Sequence, residues 1–149
     1  MASTSTYLNF GRCTEEAFLF YRSVFGGAFN GQGIMRLGDV PPQAGGPVLS
    51  EEDKQLVMHV ELPILGGHLL MGTDAPESMG FRLINGNTVH IMLTPDSKEE
   101  TERLFEALSA RGKVTLPLQE MFWGSYYGTC IDRFGVQWMF NFPLQNQMM

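Results

Sequence analysis

Two halves of this sequence carry the same succession of patterns: a strand, a helix and three further strands, then the same five elements again. The letters repeat as well. With Gly67 set on Gly135, His68-Leu-Leu-Met71 falls on Val136-Gln-Trp-Met139; Tyr7-Leu-Asn-Phe10 falls on His90-Ile-Met-Leu93, and Phe20-Tyr21 on Leu104-Phe105. A duplicated βαβββ unit restricts the chain to an α+β fold of two like modules, because this element order is wrong for a doubly wound parallel sheet. We therefore expect a single domain over residues 1–149, with module one at about 5–74 and module two at about 87–142.

Thr6–Phe10 reads as a short strand closed by Gly11. From Cys13 to Phe25 the apolar residues Ala17, Phe20, Tyr21, Val24 and Phe25 recur at the spacing of one helix face. Glu15 and Glu16 occupy the first turn, where the helix dipole favours acids, and Gly26-Gly27 ends the helix. Ala28 to Asp39 reads as extended. The prolines and glycines between Val40 and Lys54 predict a mobile loop with few anchoring side chains, a flap or a dimer contact. In Leu56–Ile64, Met58, Val60 and Leu62 alternate with His59 and Glu61, the period of a half-buried strand, and Gly66-Gly67 turns the chain into His68–Thr73. After a linking loop from Asp74 to Gly86, the second module opens with strand Thr88–Thr94 and a helix from Ser97 to Ala110. That helix carries a capping box in Ser97-Lys-Glu-Glu100, an apolar stripe of Leu104, Phe105 and Leu108, and a terminating Gly112. Three extended segments follow, ending near Phe142.

Composition narrows the function. Sixteen acidic against ten basic residues give a net charge of −6, and the Lys and Arg residues form no stripe that could track phosphates, so nucleic acid is not an expected partner. No stretch approaches the ~20 consecutive apolar residues of a membrane span. The start Met1-Ala-Ser-Thr-Ser-Thr6 has neither the basic flank nor the apolar core of a signal peptide, so a cytoplasmic protein without a membrane partner is expected. Cys13 and Cys130 make no CxxC pair and read as reduced thiols. No Gly-rich turn joins a strand to a helix as a nucleotide cofactor requires, and no cofactor is expected.

Several longer matches run from Tyr7 to Asn141: Tyr7-Leu-Asn-Phe10, Glu16-Ala17 with Phe20-Tyr21 and Val24-Phe-Gly-Gly27, Met58-His-Val-Glu-Leu62, Leu70-Met-Gly-Thr-Asp-Ala75 and Pro117-Leu-Gln-Glu120. The most specific is Phe122-Trp-Gly124 followed by Asp132-Arg-Phe-Gly-Val-Gln-Trp138. Together they resemble the vicinal oxygen chelate superfamily, which includes glyoxalase I, ring-cleaving dioxygenases, and fosfomycin and bleomycin resistance proteins. Within it they resemble the PhnB-like branch, often labelled demethylubiquinone methyltransferase-like. The resemblance implies two βαβββ modules whose strands curve into a mixed-sheet, glyoxalase-like cup around a small molecule, commonly in a homodimer. Metal-dependent members place one ligand on the first strand and one on the last strand of each module.

Carried onto this sequence by the repeat, those positions are Tyr7 and Met71 in the first module and His90 and Met139 in the second. Only His90 is a usual ligand, since thioethers suit copper(I) rather than borderline divalent ions, so no metal is expected. His59 and Glu61, two apart on a strand, share a face. With His90 they could form an unorthodox metal site, the alternative being hydrogen-bonded wall residues. In an apolar cup desolvation would raise the Glu61 pKa and make it a general base beside His59, with His90 as a second acid–base candidate; the alternative is that His59 and Glu61 are both solvated at the cup's rim. The run Phe122, Trp123, Tyr126, Tyr127 suits a pocket for a flat ligand, with core packing the alternative for Trp123 and one of the two tyrosines, whereas Trp138 and Phe140 alternate with Gln137 and Met139 and read as core. Gln119 and Glu120 would orient a ligand or serve as turn residues, and Met71, Met92 and Met139 would line an adaptable apolar wall.

The expected function is that of a PhnB-like, metal-independent protein holding a small apolar or aromatic molecule, by sequestration or by acid–base chemistry through Glu61 or His90. The alternative is a divalent-metal-dependent lyase, isomerase or dioxygenase of the same superfamily. A third reading, an interaction scaffold using Glu99, Glu100, Glu102 and Glu106, rests on what is ordinarily a solvated helix face.

Overall fold

The computed structural model describes residues 1–41 and 48–144, and the chain forms two compact units, Met1–Ile84 and Asn85–Met149. In the first, β1 (Thr6–Phe10), α1 (Thr14–Phe25), β2 (Met35–Arg36), β3 (Val57–Pro63) and β4 (Leu69–Asp74) follow in order. They build a four-stranded sheet ordered β1-β4-β3-β2, with β1 parallel to β4 and the other pairs antiparallel. In the second, β5 (Ile91–Leu93), α2 (Lys98–Ser109), β6 (Lys113–Glu120), β7 (Ser125–Ile131) and β8 (Gln137–Pro143) repeat that succession. Their sheet is ordered β5-β8-β7-β6 with the same strand senses. The fold is thus the expected α+β one, with two mixed sheets and neither closed into a barrel. Among the described residues no helix is long and apolar enough to cross a membrane.

In the first unit α1 buries Thr14, Ala17, Phe18, Tyr21 and Val24. The expected stripe omitted Phe18 and included Phe20, which is only half-buried. The reason lies in β4, where a Cβ at Gly72 would run into the Phe18 ring; the bare glycine lets helix and sheet approach closely. Full burial of Phe18, Leu62 and Leu70 contributes about 2 kcal/mol each. The alternation expected from Met58 holds for Val60 and Leu62, but Val57 is buried where Met58 is half-buried, and β2 shifts register opposite this point.

Asp74, at the end of β4, is the polar centre of this unit. Its Oδ1 accepts from the Thr14 backbone N–H (3.1 Å) and the Thr14 hydroxyl (2.8 Å), and its Oδ2 accepts from the Val57 N–H (2.8 Å). The N-cap residue Cys13 makes no side-chain cap bond, so Asp74 satisfies the start of α1 from a distant strand.

One expected segment is corrected here and a second is described only in part. Ala28–Asp39 is not a strand: only Met35–Arg36 pairs, because Gly31 and Gly33 adopt left-handed backbone (φ 61° and 82°) around a turn closed by Gly33 N–H to the Asn30 carbonyl. The Val40–Lys54 loop was expected to have few anchoring side chains. Its residues 42–47 lie outside the described residues, but Asp53 is tied to Arg12 (3.0 Å) and to the Ser78 hydroxyl (2.8 Å), and Arg12 also reaches Glu77 (3.1 Å).

In the second unit, Ser97 caps α2 by accepting from the Glu100 N–H (3.0 Å), while the Glu100 carboxylate turns to Arg103. Gly112 is not the left-handed residue that ends α2; that is Arg111 (φ 61°). Gly112 is needed because a Cβ there would strike the Ile131 carbonyl. Strand β5 is shorter than expected, leaving His90 just before it; Gln137 instead holds the incoming chain by donating to the Gly86 and Val89 carbonyls. Asp132 explains the sequence motif around it. Its Oδ1 accepts from the Phe134 and Val136 N–H groups and its Oδ2 from the Trp138 indole N–H (2.9 Å), closing the β7–β8 turn onto a fully buried Trp138.

Replacing Asp74 by Ala strands the Thr14 and Val57 N–H groups in the interior, and we expect a loss of about 3 kcal/mol in unfolding free energy, read by urea denaturation. A loss no larger than that of an exposed carboxylate such as Glu51 would remove Asp74 from this role. Burial, with the Asp132 charge adding, pushes the Cys130 thiol up to about 12, so a thiol-specific aromatic disulfide in mildly alkaline buffer should label Cys130 only after unfolding.

Candidate functional site

Alternate residues of a strand face opposite ways, and in the first unit the helix takes one face of the sheet. The other face is open and carries Tyr7 from β1, Met71 from β4 and Glu61 from β3, in register across three strands. His59, two residues before Glu61, shares that face. The Tyr7 hydroxyl and His59 Nδ1 are 3.0 Å apart, and His59 Nε2 is 2.9 Å from Glu61 Oε2. The Tyr7 and His59 rings lie 5.6 Å apart between centroids, tilted by 33°. Asn30 completes the chain, its amide N–H donating to Glu61 Oε1 (3.3 Å) while its backbone N–H donates to the Glu61 carbonyl (3.0 Å).

The electrostatics reverse one expectation. Glu61 was expected to have a raised pKa; the hydrogen bond from His59, with that from Asn30, holds it below the usual carboxylate range, and the smaller desolvation effect does not offset them. The physical reason is exposure: the side chain keeps 29% of its surface in solvent, so burial costs its charge little. Tyr7 is shifted the other way. Partial burial holds its phenol above the usual value, with a Thr73 hydrogen bond opposing and the Glu61 charge adding.

The open face of the second sheet is different. Gln137, Met139 and Asn141 of β8 point there, as do Met92 of β5, paired with Met139, and Tyr127 of β7, paired with Asn141 and Gln119. In the β6–β7 turn the Trp123 ring meets Tyr127 edge-on at 5.7 Å and Phe122 at 5.1 Å. Met92 and Trp123 are each more than half exposed (55% and 52%).

A scan against family models matches residues 10–140 to the Glyoxalase/Bleomycin resistance protein/Dioxygenase superfamily. The chain belongs to that superfamily. It is similar to protein PA1353 from Pseudomonas aeruginosa, a solved structure with a TM-score of 0.80 and 33% identity, covering 97% of this chain and 99% of that one. It is 28% identical over 142 residues to Protein YjdN of Escherichia coli (strain K12), covering 92% of each. The solved structure from Bacillus cereus described as a putative 3-demethylubiquinone-9 3-methyltransferase, PhnB protein, shares the fold at a TM-score of 0.69 and 24% identity, over 95% of this chain and 99% of that one.

The superfamily's metal positions can be tested on donor chemistry. In the first sheet Tyr7 and Met71 are direct neighbours, as the resemblance implies. In the second, register pairs Met139 with Met92 rather than His90, so the expected repeat slips by two residues there. One phenol and three thioethers do not suit a borderline divalent ion. Among the described residues no three His, Cys, Asp or Glu side chains gather to hold a metal.

The remaining expected site residues separate by face. Tyr126 and Glu120 lie on the helix side, opposite Tyr127: the Tyr126 hydroxyl donates to Glu102 (2.9 Å), and Lys98 stands over its ring (4.8 Å) and near Glu120 (3.7 Å). Gln119 is on the open side, its amide donating to the Pro117 carbonyl (3.2 Å). Trp138 and Phe140 are core, as expected, with Phe105 packed on Phe140. Sequence reasoning missed Asn30, which sat in a segment read as a strand, and missed the Tyr7–His59 contact, which only the parallel β1–β4 pairing creates.

The Glu61 carboxyl should titrate below the ordinary glutamate range in a carboxyl-carbon NMR titration. In His59→Gln the midpoint should rise toward the ordinary value. An unchanged midpoint would mean that His59 does not hold the carboxylate.

Proposed function

We propose that the chain is a small-molecule binding protein of the glyoxalase superfamily that works without a divalent metal and takes a flat apolar or aromatic compound on the open face of its second sheet. The observation that carries this reading is the edge-on pair of an exposed Trp123 and a half-buried Tyr127, on the sheet face that also carries the paired Met92 and Met139. Aromatic rings pair favourably with a further ring, and methionines adapt their shape to it. Gln119 and Asn141, flanking Tyr127 in register, supply polar groups of the kind that orient a ligand. The donor chemistry at the metal positions supports metal independence, since an ion preferring imidazole and carboxylate finds neither in those pairs.

Naphthol is a suitable probe. Calorimetric titration should show saturable binding that survives a chelator, and Trp123→Ala should weaken it about tenfold, equivalent to ~1.4 kcal/mol. Equal affinity in the variant would move the ligand off this face, and binding abolished by the chelator would favour a metal-dependent enzyme.

A further inference from the structure

The hydrogen bonds of the first sheet's open face have a definite direction. Glu61 is held ionised and can only accept, so His59 Nε2 carries a proton. In the neutral ring Nδ1 is then bare and accepts the Tyr7 O–H. Beside the Thr73 hydrogen bond the Tyr7 oxygen keeps one lone pair for a group that approaches from solvent, and Tyr7 is 47% exposed.

We propose that Tyr7, His59 and Glu61 form a proton-transfer site that needs no metal, in which the Tyr7 oxygen removes a proton from an organic substrate and hands its own proton to His59. The substrate class is a small molecule with a C–H or O–H bond acidified by a neighbouring electron-withdrawing group. In the step that bond breaks and its electron pair stays on the substrate as an anion. The released proton joins the Tyr7 oxygen, the original Tyr7 proton moves to His59 Nδ1, and the imidazolium formed faces the Glu61 carboxylate. No oxidant or reductant enters. The relay passes from a net charge of −1 to zero as the substrate gains its negative charge, so the anion never faces an uncompensated carboxylate.

Tyr7 is the catalytic residue here, His59 takes its proton, and Glu61 and Asn30 are positioning residues. Asn30 occupies the carboxylate oxygen that His59 leaves free, which fixes the carboxylate toward the ring. The raised phenol pKa fits this role, because Tyr7 keeps its proton at rest and gives it up only as it receives another. The titratable groups facing His59 are Tyr7 from β1 and Glu61 from its own strand, while β2 sets Met35 opposite. All these residues belong to the first unit, so the site stands independently of ligand binding at Trp123.

Nitrobenzisoxazole tests it with the full chain. Loss of its ring C–H proton to a base breaks the N–O bond and releases a coloured cyanophenolate. The protein should accelerate this above the buffer rate, and Tyr7→Phe or His59→Gln should each remove about a hundredfold of the acceleration. Glu61→Gln should lower the plateau rate, because the imidazolium formed in the step loses the carboxylate that faces it. Nitrogen NMR of neutral His59 should show a protonated Nε2 and a bare Nδ1, whether or not a variant folds. A rate no faster than buffer, a rate unchanged in folded Tyr7→Phe, or the opposite tautomer overturns the proposal.

Discussion

One buried carboxylate, Asp74, decides the geometry of the first unit. Its two oxygens join the end of β4 to the start of α1 and the start of β3, three points far apart in the chain. With β4 the central neighbour of both β1 and β3, fixing its end against these elements fixes the register on either side. Tyr7, Met71 and Glu61 then fall in one row, and the 3.0 and 2.9 Å contacts of His59 follow from that row. A slip of one residue in β3 would send His59 and Glu61 to the helix side. The polar chain on the open face therefore depends on a bond made beneath the sheet.

The second unit uses a carboxylate for a different purpose. Asp132 accepts from two backbone N–H groups of its own turn and from the Trp138 indole, so it sets the β7–β8 hairpin rather than a helix start. That placement makes the most specific stretch of the sequence, Asp132 to Trp138, a structural device. A motif can identify a superfamily through residues that set a turn and a core, and here Asp132 and Trp138 do that while Met139 and Asn141, further along the same strand, face the open side.

How much was legible in the sequence follows from which interactions are local. Strand, helix and turn signals depend on neighbours in the chain, so the duplicated βαβββ order, the Gly26 stop and the Ser97 cap were all readable. Phe18 was not, because its burial depends on a missing Cβ at Gly72 across the helix–sheet interface. Glu61 was left with two readings, a raised pKa in an apolar cup or solvation at a rim, and its lowered pKa and partial exposure go against the first. Its neighbours His59 and Asn30 donate to it, and Asn30 lay in a segment whose left-handed glycines were read as extended. Tyr126 and Tyr127 show the same limit: composition grouped them, and the strand parity that separates them needed the pairing with β8 to be fixed.

The duplication also shows what a repeated backbone leaves free. Both sheets have the same strand order and the same pairing senses, and in each the helix covers one face. Their open faces nevertheless differ in kind. The first carries a phenol, an imidazole and a carboxylate held in sequence, and the second carries a tryptophan, a tyrosine and two thioethers. Because open-face side chains contribute little to the buried core, they can diverge without disturbing the strands that hold them. The register slip between the two sheets has the same origin. Tyr7 stands opposite Met71 but Met92 stands opposite Met139, and a shift of two residues preserves which face each side chain takes while changing its neighbour. Such a shift keeps the core and rewrites the site, which is why the repeat predicts the fold closely and the donor set poorly.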